Sequence, residues 1–230
     1  KSGPGWAEAG VIKDAGDDPD VTHGALILAR VEPGTSGSGL VYRAGEGVGT
    51  ATLSGLPIPV GEAAVTPGPR AQIAGNLEDI GGDFVITLSI PGGAEFATKT
   101  LNARLGVVGG LSILGTTGIV TPYSKAAWIG AIHRSVDVAR AAGLSHIAAA
   151  TGTASESAAR ARYDIPETGL IDIGGFAGAF LKYVKRHPFP RLTLAGGFAK
   201  IGKLAAGNLD LHSKKSRVDI AFLAGLLPDG

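Results

Sequence analysis

The apolar residues of this chain change rhythm once, and the change divides it. Up to about residue 122 they come as short runs cut by Gly, Pro and Asp: GWAEAGVI (5–12), ALILARV (25–31), GLVYRAG (39–45), VGTATLSG (48–55) and DFVITLSI (83–90). Runs of this length bounded by turn residues predict strands. ALILARV, unbroken between Gly24 and Pro33, reads as a buried strand. GLVYRAG and VGTATLSG flank a Gly-Glu-Gly turn and read as a hairpin-like pair. Short helices are expected near residues 71–79 and 94–101. Strands with few helices give an α+β first half.

After Pro122 the spacing becomes helical. Ser124 is placed to cap a helix over 125–142, in which Trp128, Ile129, Ile132 and Val136 share a face and Gly143 ends the run. HIAAATG (146–152), LIDIGG (170–175) and RLTLAGG (191–197) follow, each a short apolar run closed by glycine. Helical stretches over 156–163, 177–186 and 200–206 accompany them. Strand and helix alternating at this spacing predict a parallel sheet with right-handed crossovers. The fold class expected is therefore α/β, with an α+β domain over 1–122 and a Rossmann-like parallel α/β domain over 123–230.

Composition narrows the function. With 230 residues, 44% of them hydrophobic, the chain can bury a real core. Its 37 glycines, roughly twice the usual share, fall in motif-like clusters that suggest tight loops rather than disorder. A net charge of +1, scattered basic residues and few aromatics argue against a nucleic-acid surface. No apolar run reaches the roughly 18–20 residues of a membrane span. The absence of cysteine rules out a disulfide framework, a thiolate nucleophile and a zinc-thiolate site. A soluble cytoplasmic protein fits best. The chain has no methionine, not even an initiator, so a processed, truncated or partly represented sequence is expected.

The chemistry-bearing clusters are few. KDAGDDPDVTHG (13–24) places Asp14, Asp17, Asp18 and Asp20 between Lys13 and His23. Such a cluster is a solvated turn, a cation loop, or a set of acids held for chemistry. It lacks the EF-hand alternation, and its place between two strands favours function. At the carboxyl edge of the expected parallel sheet lie TGTASE (151–156), DIGGFAG (172–178) and AGGFAKIGK (195–203). Ligands bind at such an edge, and Thr151, Gly152, Asp172, Gly174, Gly196 and Gly197 make a nucleotide-like pocket there. No loop matches G-x-G-x-x-G or a Walker A motif. GGLSILGTTGIV (109–120) contributes Gly115, Thr116, Thr117 and Gly118, explained by close approach to a ligand, to another backbone, or by a domain junction. Lys13, Arg70 in TPGPR and Arg104 in NARLG are candidates for carboxylates or phosphates. The five histidines show no metal-site spacing, and no G-x-S-x-G elbow is present.

Taken together the text is similar to a known family. KDAGDDPDVTHG, GEGVGTATLSGLPIPVGEAAVTPGPR, SIPGGAEFATKTLNARLGVVGGLSILGTTGIVTPYS and GGFAKIGKLAAGNLDLHS occur in that order. They closely resemble the CbiD family, the cobalt-precorrin-5B C(1)-methyltransferases of cobalamin biosynthesis, over nearly the whole chain. The family's Gly/Thr/Ala-rich TTGTCAAAA segment is absent, which again leads one to expect an N-terminal truncation. Its INPVPR stands here as VTPGPR (65–70), keeping Arg70 but not the asparagine. Its SNFIGE-like stretch stands as DIGGFAG, so contacts carried there by asparagine or glutamate do not transfer.

The resemblance implies S-adenosylmethionine as methyl donor. It implies a cobalt-bearing, ring-contracted tetrapyrrole as substrate, methylated at C-1 to give cobalt-precorrin-6A. Methyl transfer from a sulfonium to a carbon nucleophile asks the enzyme to align two molecules and exclude water, with no metal of its own. On this reading the cofactor lies on the second-domain glycine loops, helped by Gly115, Thr116, Thr117 and Gly118, with Asp172 on its ribose hydroxyls or amino group. The tetrapyrrole lies over the first domain with its carboxylates near Lys13, Arg70 and Arg104. Asp14, Asp17 and His23 then orient a ring nitrogen or move a proton. Two other readings stay open: a kinase-like enzyme using GTTG as a phosphate cradle, and a non-catalytic corrinoid carrier. Neither nucleic acid nor membrane is an expected partner, and homo-oligomerisation is left open.

Overall fold

The computed structural model describes residues 1–227, and the chain divides into two compact units, the first Lys1–Ser124 and the second from Lys125 onward. The first contains β1 (Ser2–Gly3), β2 (Trp6–Ile12), β3 (Leu26–Pro33), β4 (Leu40–Ala44), β5 (Thr50–Ala51), α1 (Pro67–Leu77), β6 (Phe84–Ser89), α2 (Gly93–Ala97) and β7 (Val107–Val108). One sheet has the order β1-β2-β3-β6-β4, antiparallel except for β4, which runs parallel to β6. β5 and β7 form a separate antiparallel pair. Ile86, Leu88 and Ile90 centre the core, closed by Ala25, Val48, Ala63, Val65 and Leu111.

Two expectations for this unit are overturned. β3 is not a buried strand: Ile27, Ala29 and Val31 face the core, whereas Leu26 is 38% exposed. An unbroken apolar run does not reveal that only one face of the sheet is covered. Nor do residues 39–45 and 48–55 form a hairpin, because β4 pairs with β6 and β5 with β7. The Gly-Glu-Gly backbone spends its groups elsewhere. Gly45 N–H donates to the Leu88 carbonyl (2.8 Å), the Glu46 carbonyl accepts from Ile90 N–H (2.7 Å), and the Gly47 carbonyl accepts from Leu111 N–H (2.9 Å).

That junction is where the glycine clusters of three segments meet. Gly47 is left-handed (φ +70°), and a Cβ there would overlap the Ile90 carbonyl oxygen. A Cβ on Gly93 or on Gly110 would overlap the carbonyl of Gly47. Glycine is required because backbone packs directly on backbone. The helices also shift relative to the sequence spacing: α1 begins at Pro67, in keeping with proline's fixed φ in a first turn, and α2 ends at Ala97.

The second unit contains α3 (Lys125–Ala141), β8 (His146–Ala150), α4 (Thr153–Arg162), β9 (Leu170–Asp172), α5 (Ala177–Arg186), β10 (Arg191–Ala195), α6 (Phe198–Ala205) and α7 (Ile220–Ala224). Its three strands are parallel in the order β10-β8-β9. Ile132 and Val136 of α3 and Phe180 and Val184 of α5 pack with Ile147, Ala149 and Ile171 of the sheet. Ala148 and Leu170 pack instead with Ala159 of α4 and Ile165. Successive residues of β8 thus serve opposite layers, and alanines suit a strand covered on both sides. Trp128 lies at the start of α3 and is 49% exposed, so the helix's buried stripe begins one turn later, at Ile132. Where α3 meets α5, Tyr183 stacks on His133 (ring centroids 3.9 Å apart) and lies beside His187 (4.2 Å), and its hydroxyl donates to the Asp137 carboxylate. Among the described residues no helix is long and apolar enough to cross a membrane.

Candidate functional site

In the second unit the chain leaves β8 through α4 to reach β9 on one side, then returns through α5 to β10 on the other. This reversal puts a topological switch point between the carboxyl ends of β8 and β10, where open parallel sheets bind ligands. Thr151-Gly152 and Gly196-Gly197 border it. Thr151 is only 7% exposed. Its N–H donates to the Ala195 carbonyl (3.0 Å), and its own carbonyl accepts from Lys200 Nζ (2.6 Å). Its hydroxyl has no hydrogen-bond partner among the described residues and faces Gly196, where a Cβ would stand 3.1 Å away.

Gly152 adopts φ 150°, ψ 170°, a region essentially closed to other residues. No atom lies within 4 Å of where its Cβ would be, and the same holds at Gly197. α4 and α6 start at these glycines without a side-chain cap, so their first N–H groups face the open edge. At the end of β9, Asp172 Oδ1 accepts from Gly174 N–H (3.0 Å) and leaves its second oxygen unbound. Gly174 is left-handed (φ +49°) and packs against the indole of Trp128, whose ring lies 6.0 Å from that of Phe176.

The acidic loop of the first unit is bonded to itself. Asp20 accepts from Lys13 Nζ (2.5 Å) and from the N–H and hydroxyl of Thr22 (2.8 and 2.7 Å). Burial pushes its carboxyl up, but the hydrogen bonds from Lys13 and Thr22 outweigh this and hold it below the ordinary value. Asp18 accepts from the N–H of Tyr123 (2.8 Å), a residue in the left-handed region at φ 55°. Asp14 accepts from Gly16 N–H (2.8 Å), and His23 Nδ1 accepts from Ala15 N–H (3.1 Å), which leaves the imidazole proton on Nε2. Asp17 is exposed and its carboxylate is bonded to none of the described residues.

Comparison with known proteins bears on both units. The CbiD family model matches residues 1–122. This chain belongs to the CbiD family. The cobalt-precorrin-5B C(1)-methyltransferase of Brucella anthropi is 58% identical over 227 residues, covering 96% of this chain and 62% of that protein. The protein of the same name from a Bradyrhizobium species is 58% identical, covering 98% of this chain and 61% of its own length. The chain thus spans about three-fifths of these curated relatives. A crystal structure of the cobalamin biosynthesis protein cbiD from Archaeoglobus fulgidus is 29% identical, with a TM-score of 0.40, covering 92% of this chain and 66% of that one.

In this CbiD member the sixteen candidate residues divide between the two units. Thr151, Gly152, Asp172, Gly174, Gly196 and Gly197 share the carboxyl edge of one sheet. Gly115, Thr116, Thr117 and Gly118 belong to the other unit, where a Cβ on Gly68 of α1 would overlap the Gly115 carbonyl and Thr117 bonds its own turn at Ile119. Lys13, Asp14 and His23 lie within the self-bonded loop, with Asp17 projecting from it. Arg70 is committed to the protein: Nε donates to the Val65 carbonyl (2.8 Å), Nη2 pairs with Glu62 (2.6 Å), and the guanidinium lies 4.8 Å over the ring of Tyr42. Arg104 is half-buried in the short 3-10 turn Ala103–Leu105. Sequence reasoning passed over Lys200 and Trp128. Lys200 carried a signal, since a cation in the first turn of a helix opposes the macrodipole and calls for a reason.

Proposed function

We propose that this chain carries the activity named for its relatives, an S-adenosylmethionine-dependent methylation of cobalt-precorrin-5B at C-1, as a soluble cytoplasmic enzyme. The cofactor is assigned to the switch point of the second unit and the tetrapyrrole to the first. The observation that carries the cofactor assignment is the unpartnered Thr151 hydroxyl, accessible on an otherwise buried residue beside Gly152, whose missing side chain leaves open space. A cradle that a Cβ would fill, an accessible unpartnered hydroxyl and uncapped helix starts fit a compact polar ligand. Bound there, S-adenosylmethionine supplies an electrophilic methyl on a sulfonium.

The chain's own residues bind, orient and exclude water. Gly152 and Gly197 let the ligand approach the backbone. The free oxygen of Asp172 accepts from the ribose hydroxyls, and Trp128 walls the adenosine end against solvent. In the first unit Lys13 and Arg70 hold loop shape through Asp20 and Glu62. That leaves Asp17, Asp14 and the Nε2–H of His23 to face the substrate, where they orient a ring nitrogen or accept a proton as the π-system rearranges. Arg104 is assigned to a substrate carboxylate.

Calorimetric titration with S-adenosylhomocysteine tests this reading. Binding without added Mg²⁺, and lost in Gly152→Val, is the expected result. Binding of ATP dependent on Mg²⁺ in its place would assign a kinase-like role to the glycine loops. A corrinoid bound with no affinity for S-adenosylhomocysteine would make the protein a carrier.

A further inference from the structure

We infer that Lys200, together with the Thr151 hydroxyl, anchors the carboxylate at the amino-acid end of the cofactor, making the site selective for adenosylated amino acids over adenosine thioethers that lack a carboxylate. The inference rests on the cofactor assignment above. Lys200 is the third residue of α6, at the positive end of the helix dipole, where a cation is disfavoured unless something negative comes to meet it. It is half-buried, and none of the described carboxylates pairs with it. Its ammonium has three donors, of which one is used, on the Thr151 carbonyl at 2.6 Å.

The residue it grips is the same one whose hydroxyl is unpartnered and still accessible, although the residue as a whole is buried. Unspent donors from two side chains therefore converge on the Gly196 side of the switch point. Both groups keep donors free at the open edge, and a single anion accepts from both. The uncapped starts of α4 and α6 favour the same sign of charge. An adenosylated amino acid has one anionic group, its carboxylate. Seating it between β8 and β10 sends the adenosine toward Asp172 and Trp128 at β9. Lys203, one turn further along α6, shows the contrast: it is buried and its ammonium donates to the Leu211 carbonyl (3.2 Å), away from the open edge.

The test compares two ligands on the whole chain, S-adenosylhomocysteine and 5′-methylthioadenosine, which share the adenosine and thioether but differ in the amino-acid end. The wild-type chain is expected to prefer S-adenosylhomocysteine by about 10- to 100-fold, the range of a charge-assisted hydrogen bond. Lys200→Met should bind it no more tightly than 5′-methylthioadenosine, with affinity for the latter unchanged. Lys200→Gln, which keeps a donor for the Thr151 carbonyl but loses the charge, should behave the same way. A preference that survives in Lys200→Met overturns the anchor, and so does an equal loss of both ligands in both variants, which would mark Lys200 as a brace for the loop. If ADP binds the wild-type chain more tightly than S-adenosylhomocysteine and loses that advantage in Lys200→Met, the cation serves a phosphate. Failure of the wild-type chain to bind either thioether removes the cofactor reading itself, and the anchor with it.

Discussion

Two sets of glycines, one in each unit, serve opposite ends. In the first, Gly47, Gly93 and Gly110 are glycines because any side chain would strike a neighbouring backbone. In the second, Gly152 and Gly197 border empty space, and a side chain there would strike nothing in the protein. Glycine density in a sequence does not separate the two cases, and the volume beside each Cα does. A filled volume points to packing, an open one at a switch point to a ligand.

The contrast breaks most sharply under alanine. Gly110→Ala pushes a methyl into the carbonyl of Gly47 and should cost about 3–5 kcal/mol, the scale of severe core overpacking, read by urea denaturation. Gly197 has φ −63° and ψ 155°, which alanine adopts freely, so Gly197→Ala should cost about 1 kcal/mol or less while weakening S-adenosylhomocysteine in calorimetry. Equal destabilisation by the two would erase the distinction.

A second pair sharpens it within the acidic loop. Asp17→Asn should lower turnover about a hundredfold or more, leaving stability within about 0.5 kcal/mol and cofactor affinity unchanged. Asp20→Ala removes the partner of Lys13 and should cost about 1–2 kcal/mol of stability. If Asp17→Asn turns over normally, the whole loop is structural.

The smallest effect is with pH and belongs to the second unit. Burial lowers the pKa of His133, opposed by the nearby Asp137, and burial with Arg191 lowers that of His146. A folded value below the unfolded one means that the unfolded chain binds the extra proton first. The stabilisation is present above about pH 6.5 and drains away as pH falls through that value toward the folded ones. Denaturation midpoints should therefore fall between pH 7.5 and 5.5, and fall less in His133→Gln. Asp20 repeats the sign lower down: its contribution holds above its ordinary value of 3.8 and is lost as pH drops below it.

The second unit was largely readable from its sequence because its information is local. Each strand is followed by its own glycine turn and helix, so Thr151, Gly152, Asp172, Gly174, Gly196 and Gly197 fall on one edge once the strands are parallel. The first unit hides its pairings. The backbone around Gly47 bonds to Leu88, Ile90 and Leu111, some forty to sixty-five residues away, and no local turn rule reports such partners. The aspartate cluster looked like a wall of acids because its internal donors, Thr22, Gly16 and the N–H of Tyr123, carry no distinctive spacing. Lys200 read as an ordinary helical cation until the carbonyl it reaches was visible.

The meeting of Gly47, Gly93 and Gly110 also bears on how the molecule comes to exist. The three stretches lie far apart in the chain, and each loop closed to bring one of them to Gly47 costs entropy in advance. The first unit is therefore expected to fold more slowly than the second, whose strand–helix steps close shorter loops, a difference that refolding kinetics followed in each unit would read.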